Sequence, residues 1–391
     1  MTSGVHSLSE RTRWPHHWAF VLLAGIVVAA VGVLGANRAW FSGSAHAERP
    51  ALQHVLDGLV TAGDAPGVTA YVAGPRGTWA GAAGVADVAA PTPMAPDARM
   101  RIESNSKTWL VALILQLAQE SKLALDDTAA RWLPGMLRDH GSRITIRELL
   151  HDTSGLIDDN DVYAATPSEL RAMFARVGDA RVRRTLLATA ARARKNPFTA
   201  IDPSFFIQLA AWQPLVASPG TTYHHSNIGW NVAGLIAAKA GGKPLPVLYR
   251  ERLFEPLQLH DTVFSPQGPI AGRHARGYAR GSSGQLVDTT NMHPGKFADG
   301  AIVTNAKEEA AFLRAAMDGT LFRKQWWLEL YGLPTGGAGC GTPAYVGEGA
   351  GDGYRSYVLF SRSGDRVAVL LLNRNKGDAA AAGVRRLFCG S

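Results

Sequence analysis

Residues 101–127 read RIESNSKTWLVALILQLAQESKLALDD. Ser104 and Lys107 stand three apart, just ahead of a long apolar run, Thr108 to Leu125. On a helix, residues at that spacing share a face and their side chains meet. A serine at a helix N-terminus also lies beside unsatisfied backbone N–H groups and the positive end of the helix dipole. The pattern supplies a nucleophile, an amine to take its proton and the start of an oxyanion hole. The same pair also describes an N-cap serine followed by an exposed lysine, so the spacing alone leaves both meanings open.

Around this stretch the chain alternates between strand and helix signals. A short amphipathic helix is expected at Leu52–Ala62. Strands follow at Gly67–Ala73 and Thr78–Val85, joined by the turn residues Gly74-Pro75-Arg76-Gly77. From Asp126 to Gly319 the pattern is mostly helical, broken by Pro and Gly, with loops at 152–165 and 263–297. Arg171–Arg194 is rich in alanine and arginine and charged on one side, as an inserted surface helix pair would be. Near the end, Tyr354–Ser361 and Arg366–Asn373 flank Ser363-Gly364-Asp365, a hairpin signal, and Gly377–Phe388 closes as a helix. Strands at both ends with helices between imply an α+β fold. Its antiparallel sheet would be built from both chain termini, flanked by helices, with an inserted, mostly helical lobe.

The chain has 391 residues, 46% hydrophobic and 18% charged, enough for a sizeable core. Its 40 basic and 32 acidic residues give a net charge of +8. The basic residues are dispersed, whereas nucleic-acid binding calls for a clustered stripe, so no nucleic-acid partner is expected. Trp18–Ala36, WAFVLLAGIVVAAVGVLGA, is uncharged over 19 residues, close to the ~20 that span hydrocarbon. Arg11 and Arg13 precede it, which orients the remainder outward. The expected division is a cytoplasmic tail at 1–17, a signal anchor or signal h-region at 18–36, a linker at 37–49 and one domain at 50–391. That places the domain outside the cell membrane, or secretes it if cleavage occurs at a site such as Ala45-His46-Ala47. Cys340 and Cys389 are the only cysteines. In an oxidising compartment they can pair, the alternative being two buried free thiols. No His or Cys stands nearby at metal-ligand spacing, so neither a metal nor a cofactor is expected.

RIESNSKTWLVALILQLAQESKLALDD resembles the nucleophile helix of the serine β-lactamase and penicillin-binding protein superfamily. The nearest branch is the class C-like one of D-alanyl-D-alanine carboxypeptidases and esterases. Matching stretches continue in family order: LLHDTSGL at 149–156, PGTTYHHSNIGWNVAGLIAAKAGGKPL at 219–245, DGAIVTNAKEEAAFLRAAMDG at 299–319 and GYRSYVLFSRSGDRVAVLLLN at 353–373. The resemblance implies a β-lactamase-like fold with the active site between two lobes, and an acyl-enzyme on Ser104 with Lys107 as its activator.

Two further motifs depart from the family pattern. Where the family has Tyr-x-Asn, this chain has His225-Ser226-Asn227. Asn227 resembles the residue that holds the substrate amide and the lysine. His225 replaces the tyrosine that passes a proton to the leaving group. An imidazole can do that work, titrating near pH ~6.5 in the unperturbed side chain, but it also suits a polar loop left after the relay was lost. Tyr223 is out of phase to substitute. Where the family has a Lys-Thr-Gly or His-x-Gly strand, this chain has Tyr345-Val346-Gly347-Glu348-Gly349-Ala350. The cation position is Gly347, and Glu348 would repel a substrate carboxylate if it faced the cleft. Gly349 permits close approach to the strand, and the N–H of Ala350 joins that of Ser104 in the oxyanion hole by resemblance. Asp152-Thr153-Ser154-Gly155 replaces the family's His-Thr-Ser-Gly, a structural turn.

The expected activity is therefore that of an exported serine hydrolase acting on a small ester, an amide or a peptide, peptidoglycan-derived peptides included. The alternative is a catalytically impaired relative that binds cell-wall peptide or serves as an interaction module.

Overall fold

A computed structural model of the chain describes residues 49–196, 201–266, 269–292, 296–331, 339–351 and 353–391. They belong to one unit, His46–Ser391. The apolar run at 18–36, the tail before it and the linker as far as residue 48 lie outside the described residues. No helix among the described residues is long and apolar enough to cross a membrane.

Helix α1 (Pro50–Thr61) starts at a proline whose missing N–H costs nothing there, and buries Leu52, Leu56 and Leu59 on one stripe. Strands β1 (Gly67–Gly74) and β2 (Gly77–Asp87) form the expected hairpin. Helix α2 (Ser106–Gln119) is buried nearly all round, its side chains Trp109 to Leu115 sealed from water. It ends six residues before the apolar run does. Ser121 adopts a positive φ of 57°, and Lys122 N–H bonds back to Leu117 O at 2.9 Å, closing the helix from its C-terminus.

The lobe that follows carries α3 (Asp159–Ala164), α4 (Pro167–Ala175), α5 (Ala180–Lys195), α6 (Ser204–Ala210) and α7 (Asn227–Gly241). α4 and α5 are the inserted pair. Thr166 and Glu169 cap α4 reciprocally, and Asp179 caps α5 through the N–H groups of Arg181 and Val182. The segments read as loops hold structure of their own. α3 lies within 152–165, and short strands Val263–Phe264, Tyr278–Arg280 and Leu286–Asp288 lie within 263–297. Tight caps and two- or three-residue pairings of this sort are too short to impose a period on sequence.

Helix α8 (Ala306–Asp318) precedes the last three strands, β3 (Ala344–Ala350), β4 (Arg355–Ser361) and β5 (Val367–Leu372), and helix α9 (Ala380–Gly390). The main sheet is antiparallel and ordered Thr92–Pro93, β2, β1, β5, β4, β3. Val68 pairs with Leu372 and Val72 with Ala368, so the two chain ends meet at the sheet's centre. β5 reads VAVLLL because both its faces are covered. Val68, Ala70, Leu370 and Leu372 pack with α1 and α9 on one side. Tyr71, Val369, Leu371 and Val358 face the larger core with α2 and α8 on the other. Cys340 and Cys389 are joined by a disulfide, with Cα atoms 5.7 Å apart.

Candidate active site

Ser104 lies in a single 3-10 turn, Glu103–Asn105, that leads into α2. Glu103 enters it with φ of 51°, a region L-residues seldom occupy, and its side chain is buried 3.6 Å from Lys296. The turn is pinned to the sheet by Ser356 on β4. Its hydroxyl donates to Ile102 O at 2.6 Å and accepts from Asn105 Nδ2 at 2.7 Å. β3 then passes hard against the turn. A Cβ at Gly349 would stand 2.1 Å from Ile102 O and 2.9 Å from Ser104 N, and one at Gly347 2.4 Å from Asn105 Oδ1. These glycines serve close approach of two backbones rather than loop flexibility.

Lys107, one turn along α2, is buried. Its Nζ lies 3.4 Å from Ser104 Oγ, 2.8 Å from Asn227 Oδ1 and 3.0 Å from His225 Nε2. Burial holds the amine below the ordinary lysine range, aided by Lys296 and opposed by the carboxylates of Asp299, Asp152 and Asp158. His225 Nδ1 is 3.1 Å from Asp158 Oδ2. Burial works against the charge on Asp158, but hydrogen bonds from His225, Asp159, Asn227 and Asn160 outweigh it and hold its carboxyl well below the usual range. An ionised Asp158 accepts a hydrogen bond from Nδ1–H, which leaves Nε2 to accept from Lys107. The sequence-predicted residues Ser104, Lys107, His225 and Asn227 thus form one hydrogen-bonded group, and Asp158 extends it.

Asp159 behaves oppositely to its neighbour. Burial, then its hydrogen bond with Asp158 and the charge of Asp299, push its carboxyl up to about 7, although Asn227 Nδ2 donates to it at 2.9 Å. Adjacent carboxyls in one dry corner do not both ionise easily, so of the two Asp159 is the one that keeps a proton as pH rises towards about 7. Asp152 anchors the motif from behind. Its Oδ1 accepts from Ser226 N and from Trp230 Nε1, each at 3.0 Å. The aspartate that stands in place of the family histidine is therefore structural, as its turn position implied.

Ser104, Asp159, His225, Asn227, Lys296 and Ala350 line one cavity of about 790 Å³. The position of Glu348 corrects the expectation of a negative cleft. The Cβ positions of Gly347 and Gly349 face the nucleophile turn, so the intervening residue projects from the other face of β3. There Glu348 is exposed and paired with Arg355. It does not line the cavity, and Lys296 and Arg194 do, so the cavity is not short of positive charge. Tyr223 is 69% exposed and also stands apart from it.

A model of the Beta-lactamase family matches residues 52–388. The chain belongs to the beta-lactamase family. Protein Rv1367c of Mycobacterium tuberculosis is 28% identical to this member over 262 residues, 61% of the chain and 59% of that protein's length. The D-stereospecific amidohydrolase of a Streptomyces species superposes with a TM-score of 0.70 at 24% identity, covering 88% of the chain and 99% of its own. The D-amino acid amidase of Ochrobactrum anthropi SV3 does so with a TM-score of 0.67 at 23% identity, covering 86% and 97%. At these identities the two structures establish the β-lactamase fold.

Asp158, Asp159, Lys296 and Ser356 were not singled out from sequence. Asp158 had a local signal in Asp-x-x-Asp at 158–161, a reciprocal cap of α3. The others reach the site only through long-range packing.

Proposed function

We propose that this beta-lactamase family member is a serine hydrolase of esters or amides, working through an acyl-enzyme on Ser104. The observation that carries this reading is the unbroken series Ser104, Lys107, His225, Asp158, opening on a cavity. Lys107, whose amine burial holds below the ordinary lysine range, takes the proton of Ser104 as Oγ attacks the substrate carbonyl carbon. The carbonyl oxygen gains negative charge between the N–H groups of Ser104 and Ala350. The proton on Lys107 passes, directly or through His225, to the departing oxygen or nitrogen, and the bond from carbon to that atom breaks. Water then attacks the ester on Ser104, giving its proton to the same amine, and Ser104 Oγ leaves with a proton restored. Asp158 fixes the tautomer that lets His225 accept from Lys107.

The relatives' amidase titles and the cations along the cavity support small amides and peptides as substrates alongside esters. The uncharged run at 18–36 and the disulfide support display outside a membrane, by an anchor or after cleavage. Labelling with a fluorophosphonate, with Ser104→Ala as control, tests the chemistry. Labelling of the wild type and not of the variant is expected. A wild type that neither labels nor hydrolyses aryl esters would leave the cleft a binding module.

A further inference from the structure

The inserted helix pair does more than cover the lobe. α3, α4, α5 and α6 turn apolar side chains toward one another and line the cavity that begins at Ser104. Val162, Leu170, Phe174, Ala190, Ile201 and Phe206 represent its lining. Val162, Phe174, Ile201 and Phe206 are buried. On α5, the buried Leu186 and the cavity-lining Ala190 and Ala193 recur at helical spacing on one side, while Arg181, Arg184 and Arg192 remain exposed on the other. The charged appearance of 171–194 in sequence is thus mostly the outer surface of a wall whose inner surface is largely apolar, with Arg194 also reaching the cavity. Small side chains at 190 and 193 leave the room that larger ones would fill.

The two ends of the cavity differ in chemistry. One holds Ser104, His225, Asn227, Asp159 and Lys296, where a polar carbonyl group would be processed. The other is mostly apolar, with Asn160, Tyr163 and Arg194 its polar members, and the whole cavity, at about 790 Å³, is ample for a ligand of drug-like size.

We propose that the helix insertion is a subsite for a large apolar substituent. The substrates of Ser104 would then be those esters or amides, peptide amides included, that bear an unbranched or aromatic apolar group of about six carbons or more. This rests on the hydrolase reading above and narrows it. Ala190 and Ala193 set the room available, and Phe174 and Phe206 supply the contact surface.

The test is a chain-length series with the full domain. p-Nitrophenyl esters from acetate to dodecanoate vary the acyl side, and alkyl acetates of matching length vary the other. Each added CH₂ that enters the subsite raises kcat/KM by up to about fourfold, so octyl or octanoyl compounds are expected at least about a hundredfold above their two-carbon counterparts in one series. Ala190→Trp and, separately, Ala193→Phe should cut the octanoyl-to-acetyl preference tenfold or more, with melting temperatures reported for both. Rates flat with length in both series, or a preference unchanged in two folded variants, would overturn the proposal. A second measurement separates it from the hydrolase reading. Binding of octanamide and N-octylacetamide to Ser104→Ala, against acetamide, is followed by calorimetry. Length-dependent binding without any hydrolysis by the wild type would keep the subsite and dismiss the enzyme. Hydrolysis insensitive to length would do the reverse.

Discussion

Replacing Gly349 by alanine puts one methyl group where the nucleophile turn and β3 touch. The added Cβ would lie 2.1 Å from Ile102 O, 2.6 Å from Ser356 Oγ and 2.9 Å from Ser104 N. Two of these three atoms are backbone and cannot rotate away. Restoring ordinary contact needs a displacement of roughly 1 Å, shared between the strand and the turn. A misplacement of that size at a reacting group costs on the order of a hundredfold in rate. Overpacking adds about 1–3 kcal/mol of destabilisation, or roughly 1–4 °C in melting temperature for a domain of this size. At Gly347 the added Cβ would meet Asn105 Oδ1 at 2.4 Å and Val358 Cγ2 at 2.7 Å, both side-chain atoms that can turn. Gly347→Ala is therefore expected to lose less than tenfold. The assay is the rate of Ser104 labelling by a fluorophosphonate, read beside a thermal melt for each variant. Labelling of Gly349→Ala within about threefold of wild type, or equal losses at both glycines, would refute the claim that this crossing positions the serine.

Four further outcomes are expected. Asp158→Asn removes the acceptor that fixes the His225 tautomer, and kcat should fall about a hundredfold with KM little changed; parallel changes in both constants would assign Asp158 a packing role instead. Asp159 bears on pH dependence. Its carboxyl titrates at about 7 in the folded chain against 3.8 ordinarily, so the folded state holds the extra proton between those values. The associated stability is full below about pH 4 and is lost as pH rises through about 7, by at most about 4 kcal/mol. Asp159→Asn should accordingly raise the melting temperature relative to wild type more at pH 8 than at pH 4.5, and equal shifts at both would contradict the assignment. Cys389→Ser opens a loop of 49 residues' separation and should cost about 4 kcal/mol by chain entropy, measured as a drop in urea midpoint that vanishes when both proteins are reduced. Lys107→Ala should suppress Ser104 labelling at least a hundredfold at neutral pH, and undiminished labelling would move the base elsewhere.

The parts of this molecule that sequence made legible are those with a strong local period or a contiguous motif. β5 and the β1–β2 hairpin are marked by apolar runs and a Gly-Pro turn, and α2 by its uninterrupted core-facing residues. Ser104 and Lys107 could be paired because one helical turn brings them together, and His225 and Asn227 because they share one short loop with a family counterpart. Asp158 and Lys296 join the site across long stretches of chain, and no spacing rule links 158 to 225. Glu348 was misplaced for a simpler reason. The side of a strand cannot be told from a run such as Gly-Glu-Gly, in which the glycines carry no side chain to reveal which face is buried. The apolar wall of α5 was hidden because alanine is small enough to read as a surface residue among arginines.

The pairing of Val68 with Leu372 has a consequence for synthesis. A chain made from its N-terminus produces β1 and β2 early, but the inner edge of β1 has no partner until residues 367–372 follow. The sheet is completed at its middle, and last. Nearly all of the intervening helical lobe must emerge, and can begin to condense, while that hairpin waits with one row of backbone groups unsatisfied. Such long-range closure gives a high contact order and slow acquisition of the final sheet. A nascent fragment stopped short of β5 would present an open, apolar β edge, the kind of surface that holdase chaperones protect from aggregation.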